Sequence, residues 1–199
     1  MKSQIFGLMC AAVLLVTGIT SSTVAQDNMN MNEKMAMMSS MDQKFMMMAA
    51  KGGVAEIEMA RVALQKSSND AVKQYAQKMI DDHTMAGEEL KQLASTKGVA
   101  LPVQPDAKLM AMMAKMRNLS GMDFDTMYVK EYGVKAHQEM EKLFMKESMS
   151  SKHMEAKAFA AKTLPVVRMH LQMARQMMMS MKGMKGMKMD MSGMKFSGK

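Results

Sequence analysis

Four residues stand where a helical surface would otherwise be apolar. Glu56 lies between Gly52 and Met59, and His83 lies between Ile80 and Ala86. His137 follows Gly133 by one turn and precedes Met140 and Phe144, while His170 sits one turn after Val167 and before Ala174. Polar side chains on an apolar stripe carry more information than polar side chains on a surface. One carboxylate and three imidazoles form a ligand set suited to zinc, iron or copper(II). A buried hydrogen-bonded cluster, or separately satisfied histidines, would give the same pattern, because burial obliges polar groups to pair. The fourth histidine, His153, falls in a turn-and-cap region, and solvent is its expected surrounding.

Methionine supplies a second kind of chemistry, with 35 among 199 residues. Met181, Met184, Met187, Met189, Met191 and Met194 repeat at Met-x-Met and Met-x-x-Met spacing. Thioether sulfur is a soft donor that selects copper(I), and by the same softness silver(I), so these spacings let a chain wrap several sulfurs around one ion. Interleaved lysines oppose a bound cation. Two other roles stay open. Met59, Met79 and Met140 fit adaptable core filling, and surface methionine can consume oxidant by conversion to the sulfoxide.

Catalysis has little support. Di-iron bundles carry a Glu-x-x-His pair on two helices, whereas Ile80, Val134 and Val167 occupy the positions three before His83, His137 and His170. The single cysteine, Cys10, lies in the first apolar run, and there is no glycine-rich phosphate loop or Ser-His-Asp arrangement. A non-enzyme is expected. The net charge of +8 fits contact with an anionic envelope surface, or plain solubility, better than nucleic-acid binding.

The elements that must position these groups follow from the hydrophobic period. Lys2, the apolar run Ile5 to Ile19 and the small polar stretch ending at Ala25 have the order of a cleavable secretory signal over residues 1–25, with Gln26 as the mature terminus. Residues 26–41 are polar and methionine-rich, and read as a disordered leader. Four helices follow over a bundle domain at 42–179: about Asp42–Lys66, Asp70–Lys97, Met122–Met149 and Lys152–Met179. Capping boxes are expected at Ser40 with Gln43, Ser67 with Asp70 and Ser120 with Asp123. Pro165 should kink the fourth helix. Glycines and lysines over 180–199 predict a disordered tail.

Strand-period alternation is absent, so the class is all-α. The second helix is about 42 Å long, and the connection from Gly98 to Gly121, with a short helix near Leu109–Arg117, reaches about 55 Å. It can therefore cross the whole bundle, as in ferritin-like four-helix bundles with one long crossover. Counting rises from the shared loop leaves His137 and His170 mismatched by about 9 Å.

Phe45 through Ala50 with Gly53 and Glu56, Ala76-Gln77-Lys78-Met79 before Asp82-His83, Phe124-Asp125 with Tyr128 and His137, and Leu164-Pro165 with His170-Leu171 carry a family likeness. On these residues the chain resembles the exported, ferritin-like DUF4142 family over roughly Asp42 to Met178. The resemblance implies a periplasmic or outer-membrane-associated helical bundle without a settled activity. The expectation is an exported protein that binds or buffers copper(I) or silver(I) through its Met-rich segments, with zinc or iron as candidates for the core. The alternative is a non-enzymatic envelope stress or interaction protein whose methionines act as an oxidant sink.

Overall fold

The computed structural model describes residues 38–193, with side chains described through residue 183. The signal segment 1–25, the Gln26 terminus, most of the expected leader and the end of the tail lie outside the described residues.

Helix α1 runs Ser40–Lys66 and is entered through a capping box one residue earlier than expected. Ser39 Oγ accepts the Asp42 N–H at 3.1 Å, and Asp42 Oδ2 accepts the Ser39 N–H at 3.1 Å. Two otherwise orphaned donors are thereby satisfied. Just before the cap Met38 is only 8% exposed, so the apolar core reaches back into the stretch read as leader. Helix α2, Asp70–Thr96, takes Asn69 rather than Ser67 as its cap, with the Asn69 side chain accepting from the Ala71 N–H. Ser67 instead accepts the Asn69 N–H at 3.0 Å and shapes the turn. Gly98, at φ 65°, turns the chain out of α2, a conformation that costs glycine little.

The connection contains helix α3, Ala107–Arg117, capped by Asp106, whose Oδ1 accepts the Leu109 N–H at 2.9 Å. The expected third helix is a composite: helix α4 over Gly121–Tyr128, a π-helical segment over Val129–Lys135, and helix α5 over Ala136–Ser150. Ser120 occupies the N-cap position of α4 but makes no side-chain cap bond.

Helix α6 spans Met154–Gly193, passing through Pro165 as one element. Its backbone is helical across most of the stretch expected to be disordered. No proline follows Pro165, and methionine and lysine are good helix formers, each offsetting part of the roughly 1 kcal/mol that a glycine costs.

Helices α1 and α2 pair, as do α5 and α6; α6 also packs on α2, and α1 on α5. Two apolar clusters fill the interior. One holds Met59, Tyr75, Met79, Phe124, Tyr128, Tyr132 and Ala174, together with Met181. The other holds Phe45, Met46, Leu90, Phe144, Phe159, Leu164 and Val167. His83, His137 and His170 each lie along the chain between residues of the two clusters, and Glu56 follows Ala55 at the near edge of the first.

His153 departs from expectation. It is 5% exposed, and its Nδ1 accepts the Ala156 N–H at 3.4 Å, capping the start of α6. Ser151 Oγ accepts the His153 N–H and donates to Asp42 Oδ1 at 2.8 Å, tying the α5–α6 turn to the start of α1. Glu147 is buried beside this knot, and burial followed by the neighbouring Asp42 carboxylate pushes its carboxyl up to about 7.

Candidate metal centre

Glu56 enters from α1, His83 from α2, His137 from α5 just after the π segment, and His170 from α6. Glu56 is 2% exposed, and His137 and His170 are fully buried. One nitrogen from each of His83, His137 and His170 lies within 4.8 Å of the others. Glu56 abuts this group of three, with Oε2 3.4 Å from His83 Nδ1 and Oε1 3.5 Å from His137 Nδ1. All four residues picked out on the stripes therefore meet in one layer.

The 9 Å mismatch between His137 and His170 is absent. Helix α6 starts at Met154 and α5 ends at Ser150. The two histidines are thus 16 and 13 residues from the ends facing the turn. Three residues of rise is about 4.5 Å, which two side chains reaching toward each other span.

Outer partners fix the protons. His137 Nδ1 lies 2.8 Å from the Tyr132 carbonyl oxygen. A carbonyl only accepts, so Nδ1 carries hydrogen and Nε2 holds the lone pair. His170 Nε2 lies 2.7 Å from Asp82 Oδ2, which Lys78 also approaches at 3.0 Å. That nitrogen donates to the carboxylate, leaving the lone pair on Nδ1. His137 Nε2 and His170 Nδ1 then face each other at 3.3 Å with no hydrogen between them.

Burial keeps all three rings neutral. It pulls His137 down to about 3, and His83 and His170 below their usual range, with the neighbouring imidazoles adding to the effect at His83. Burial also pushes the Glu56 carboxyl up to about 8. Facing lone pairs on neutral imidazoles in an apolar interior are donor chemistry suited to a cation. With bonds of 2.0–2.1 Å, tetrahedral nitrogens are about 3.3 Å apart, the separation observed for His137 and His170.

Asp82 enters the sequence reading only among the residues of the family likeness, with no task of its own. Its position one residue before a stripe histidine was the only available signal. The Tyr132 carbonyl left none, being backbone. Tyr75, Tyr128 and Tyr132 are also buried, with hydroxyls lacking a protein partner. Of the tail methionines, Met181 is 5% exposed and packs into the first apolar cluster. The side chains of Met184, Met187, Met189 and Met191, and all of Met194, lie outside the described residues.

An all-helical protein whose interior is divided by a layer of one carboxylate and three imidazoles is the class that fold and site define. The chain belongs to the DUF4142 family, a domain of unknown function, whose family model matches residues 27–177. No curated protein and no solved structure matches it. Among the described residues, no helix is long and apolar enough to cross a membrane.

Proposed function

We propose that this is an exported metal-binding protein of the bacterial envelope, with no enzymatic role. Its helices are read as a ferritin-like bundle of α1, α2, the α4–α5 rod and α6, with the α3 connection as the crossover. Glu56, His83, His137 and His170 hold one divalent transition metal, with zinc and iron the leading candidates. The observation that carries this reading is the pair of lone pairs on His137 and His170, aimed at each other by a carbonyl and a carboxylate behind them.

Chelator-stripped protein dialysed against zinc is expected to take up one equivalent. Asp82→Asn leaves the four ligands in place but weakens the acceptor that orients His170, and should lower affinity about 10–100-fold. His137→Ala should lose more. Failure to retain zinc, or equal affinity in all three proteins, would refute the core site.

Copper(I) or silver(I) binding through the methionines is the second reading. Met184, Met187, Met189, Met191 and Met194 keep the Met-x-Met and Met-x-x-Met spacings that let several thioethers share one ion. Thioethers have no proton to lose, so copper(I) held there should persist at pH 5, whereas imidazole ligands release metal as they protonate. Deleting residues 183–199 should abolish most acid-resistant copper(I) binding with thermal unfolding nearly unchanged, since Met181 stays in the core. Undiminished binding by the shortened chain at pH 5 rules this reading out. In the alternative to both metal readings, the methionines serve an envelope stress protein as oxidant sink; it predicts sulfoxide formation without metal uptake.

A further inference from the structure

A cavity of about 570 Å³ lies between α1 and α2, within the size range of small-molecule pockets. Small residues make its walls: Ala49, Ala50 and Gly53 on α1 face Ala86 and Gly87 on α2. The crossover lines it with Val99, Leu101 and Pro102, and Phe144 and Phe159 line it from α5 and α6. Arg61 and Lys91 are among the few charged lining groups.

The same cavity is lined by Glu56 and His83. His83 is the imidazole of the centre that keeps measurable side-chain exposure, 14% against none for His137 and His170. Glu56 Oε1 and His83 Nε2 are buried and make no hydrogen bond within the protein. Those two atoms are closed off from the cavity; beside its lining residue Gly53 stands His83 Nδ1, 3.9 Å from where a Cβ would lie, with Glu56 Oε2 3.4 Å from that nitrogen, so a mostly apolar space ends on an imidazole and a carboxyl, an arrangement that selects a mostly apolar ligand with one polar end.

We propose that this cavity binds a small apolar molecule carrying one hydroxyl, seated with the hydroxyl against Glu56 and His83. A hydroxyl both donates and accepts, so it can pair with His83 Nδ1 in either tautomer and leaves Nε2 to the metal centre. A carboxylate would place a second acid against Glu56 in an interior that disfavours charge. The proposal rests on the same side chains as the metal reading and names what reaches them.

Gly53 and Gly87 provide the test. A Cβ at Gly53 would lie 3.9 Å from His83 Nδ1, ordinary van der Waals contact, and a Cβ at Gly87 meets nothing within 4 Å. The first carbon of a larger side chain is accommodated at either position, and leucine there adds bulk beside the cavity. The whole chain is titrated with 2-naphthol and with naphthalene, following fluorescence, in metal-free and zinc-loaded form. Saturable one-to-one binding of 2-naphthol is expected, about tenfold or more tighter than naphthalene because the hydroxyl finds buried partners. Gly53→Leu should weaken it at least tenfold with the helical circular dichroism unchanged, and Gly87→Leu serves if Gly53→Leu does not fold. Equal affinity for the two probes, no saturable binding, or full binding by the folded leucine variants overturns the proposal. Zinc uptake on the same samples separates the two readings: zinc without naphthol leaves the metal centre and removes the ligand site, and naphthol without zinc does the reverse.

Discussion

Replacing Gly133 by alanine should lower the thermal midpoint by about 5–10 °C, corresponding to about 2–3 kcal/mol of overpacking. A Cβ at Gly133 would lie 2.7 Å from Ala174 Cβ and 3.3 Å from the Tyr75 hydroxyl. Neither neighbour yields cheaply. Ala174 Cβ is fixed to the backbone of α6, and Tyr75 is 1% exposed within the apolar cluster. Alanine's better helix propensity, worth about 1 kcal/mol over glycine, is too small to offset the clash. Gly52→Ala is the matched control. There the nearest atom is Met140 Cε at 3.3 Å, the far end of a flexible side chain, so stability should hold or rise. Equal midpoints for Gly133→Ala and the unaltered protein would mean that the π-helical segment and α6 are less closely packed than these distances imply.

Glu56→Gln should have opposite effects on the metal-free fold and on metal binding. Burial pushes the Glu56 carboxyl from 4.5 to about 8. A raised acid favours the folded state fully below pH 4.5, where the unfolded chain is also protonated, and that advantage is lost as pH rises toward 8. At about 1.4 kcal/mol per unit, the carboxyl costs the metal-free protein about 2–4 kcal/mol at pH 8. Glutamine carries no such cost, so Glu56→Gln should be the more stable protein at pH 8 and no different near pH 4. Zinc affinity should fall at least tenfold, since a neutral amide replaces an anionic donor. Denaturant unfolding at the two pH values and zinc dialysis read the two halves. A stability difference that does not change with pH would show that Glu56 is ionised in the metal-free fold.

The helices and their buried faces were largely legible, because a 3.6-residue hydrophobic period survives in Phe159, Ala160, Leu164, Val167, Leu171 and Ala174, all buried. The polar interruptions of those stripes identified the residues that meet in the core. Helix entries were less legible. Several serines and asparagines compete at each boundary, and the choice of Ser39 over Ser40 turns on the reach of Asp42. The burial of Glu147 and His153 was invisible for a related reason: both sit where helix ends fold over one another, and period alone says nothing about ends. Asp81 and Asp82 look alike in the sequence, and only three-dimensional proximity to His170 separates them.

The π-helical segment Val129–Lys135 left no mark in the hydrophobic pattern. Its backbone bonds reach five residues back, as from the Ala136 N–H to the Glu131 carbonyl, and His137 takes the Tyr132 carbonyl through its ring rather than its amide. A wide turn of this kind works as a phase shifter between two stretches of ordinary helix. Upstream, Phe124 and Tyr128 point into one apolar cluster; downstream, His137 and Phe144 point to the polar layer and the other cluster. Loss of one residue here would leave both stretches helical yet rotate the second by about 100°. The imidazole would swing out of the layer although every ligand was still encoded, so the spacing between Tyr128 and His137 is as much a part of the binding site as the histidine itself.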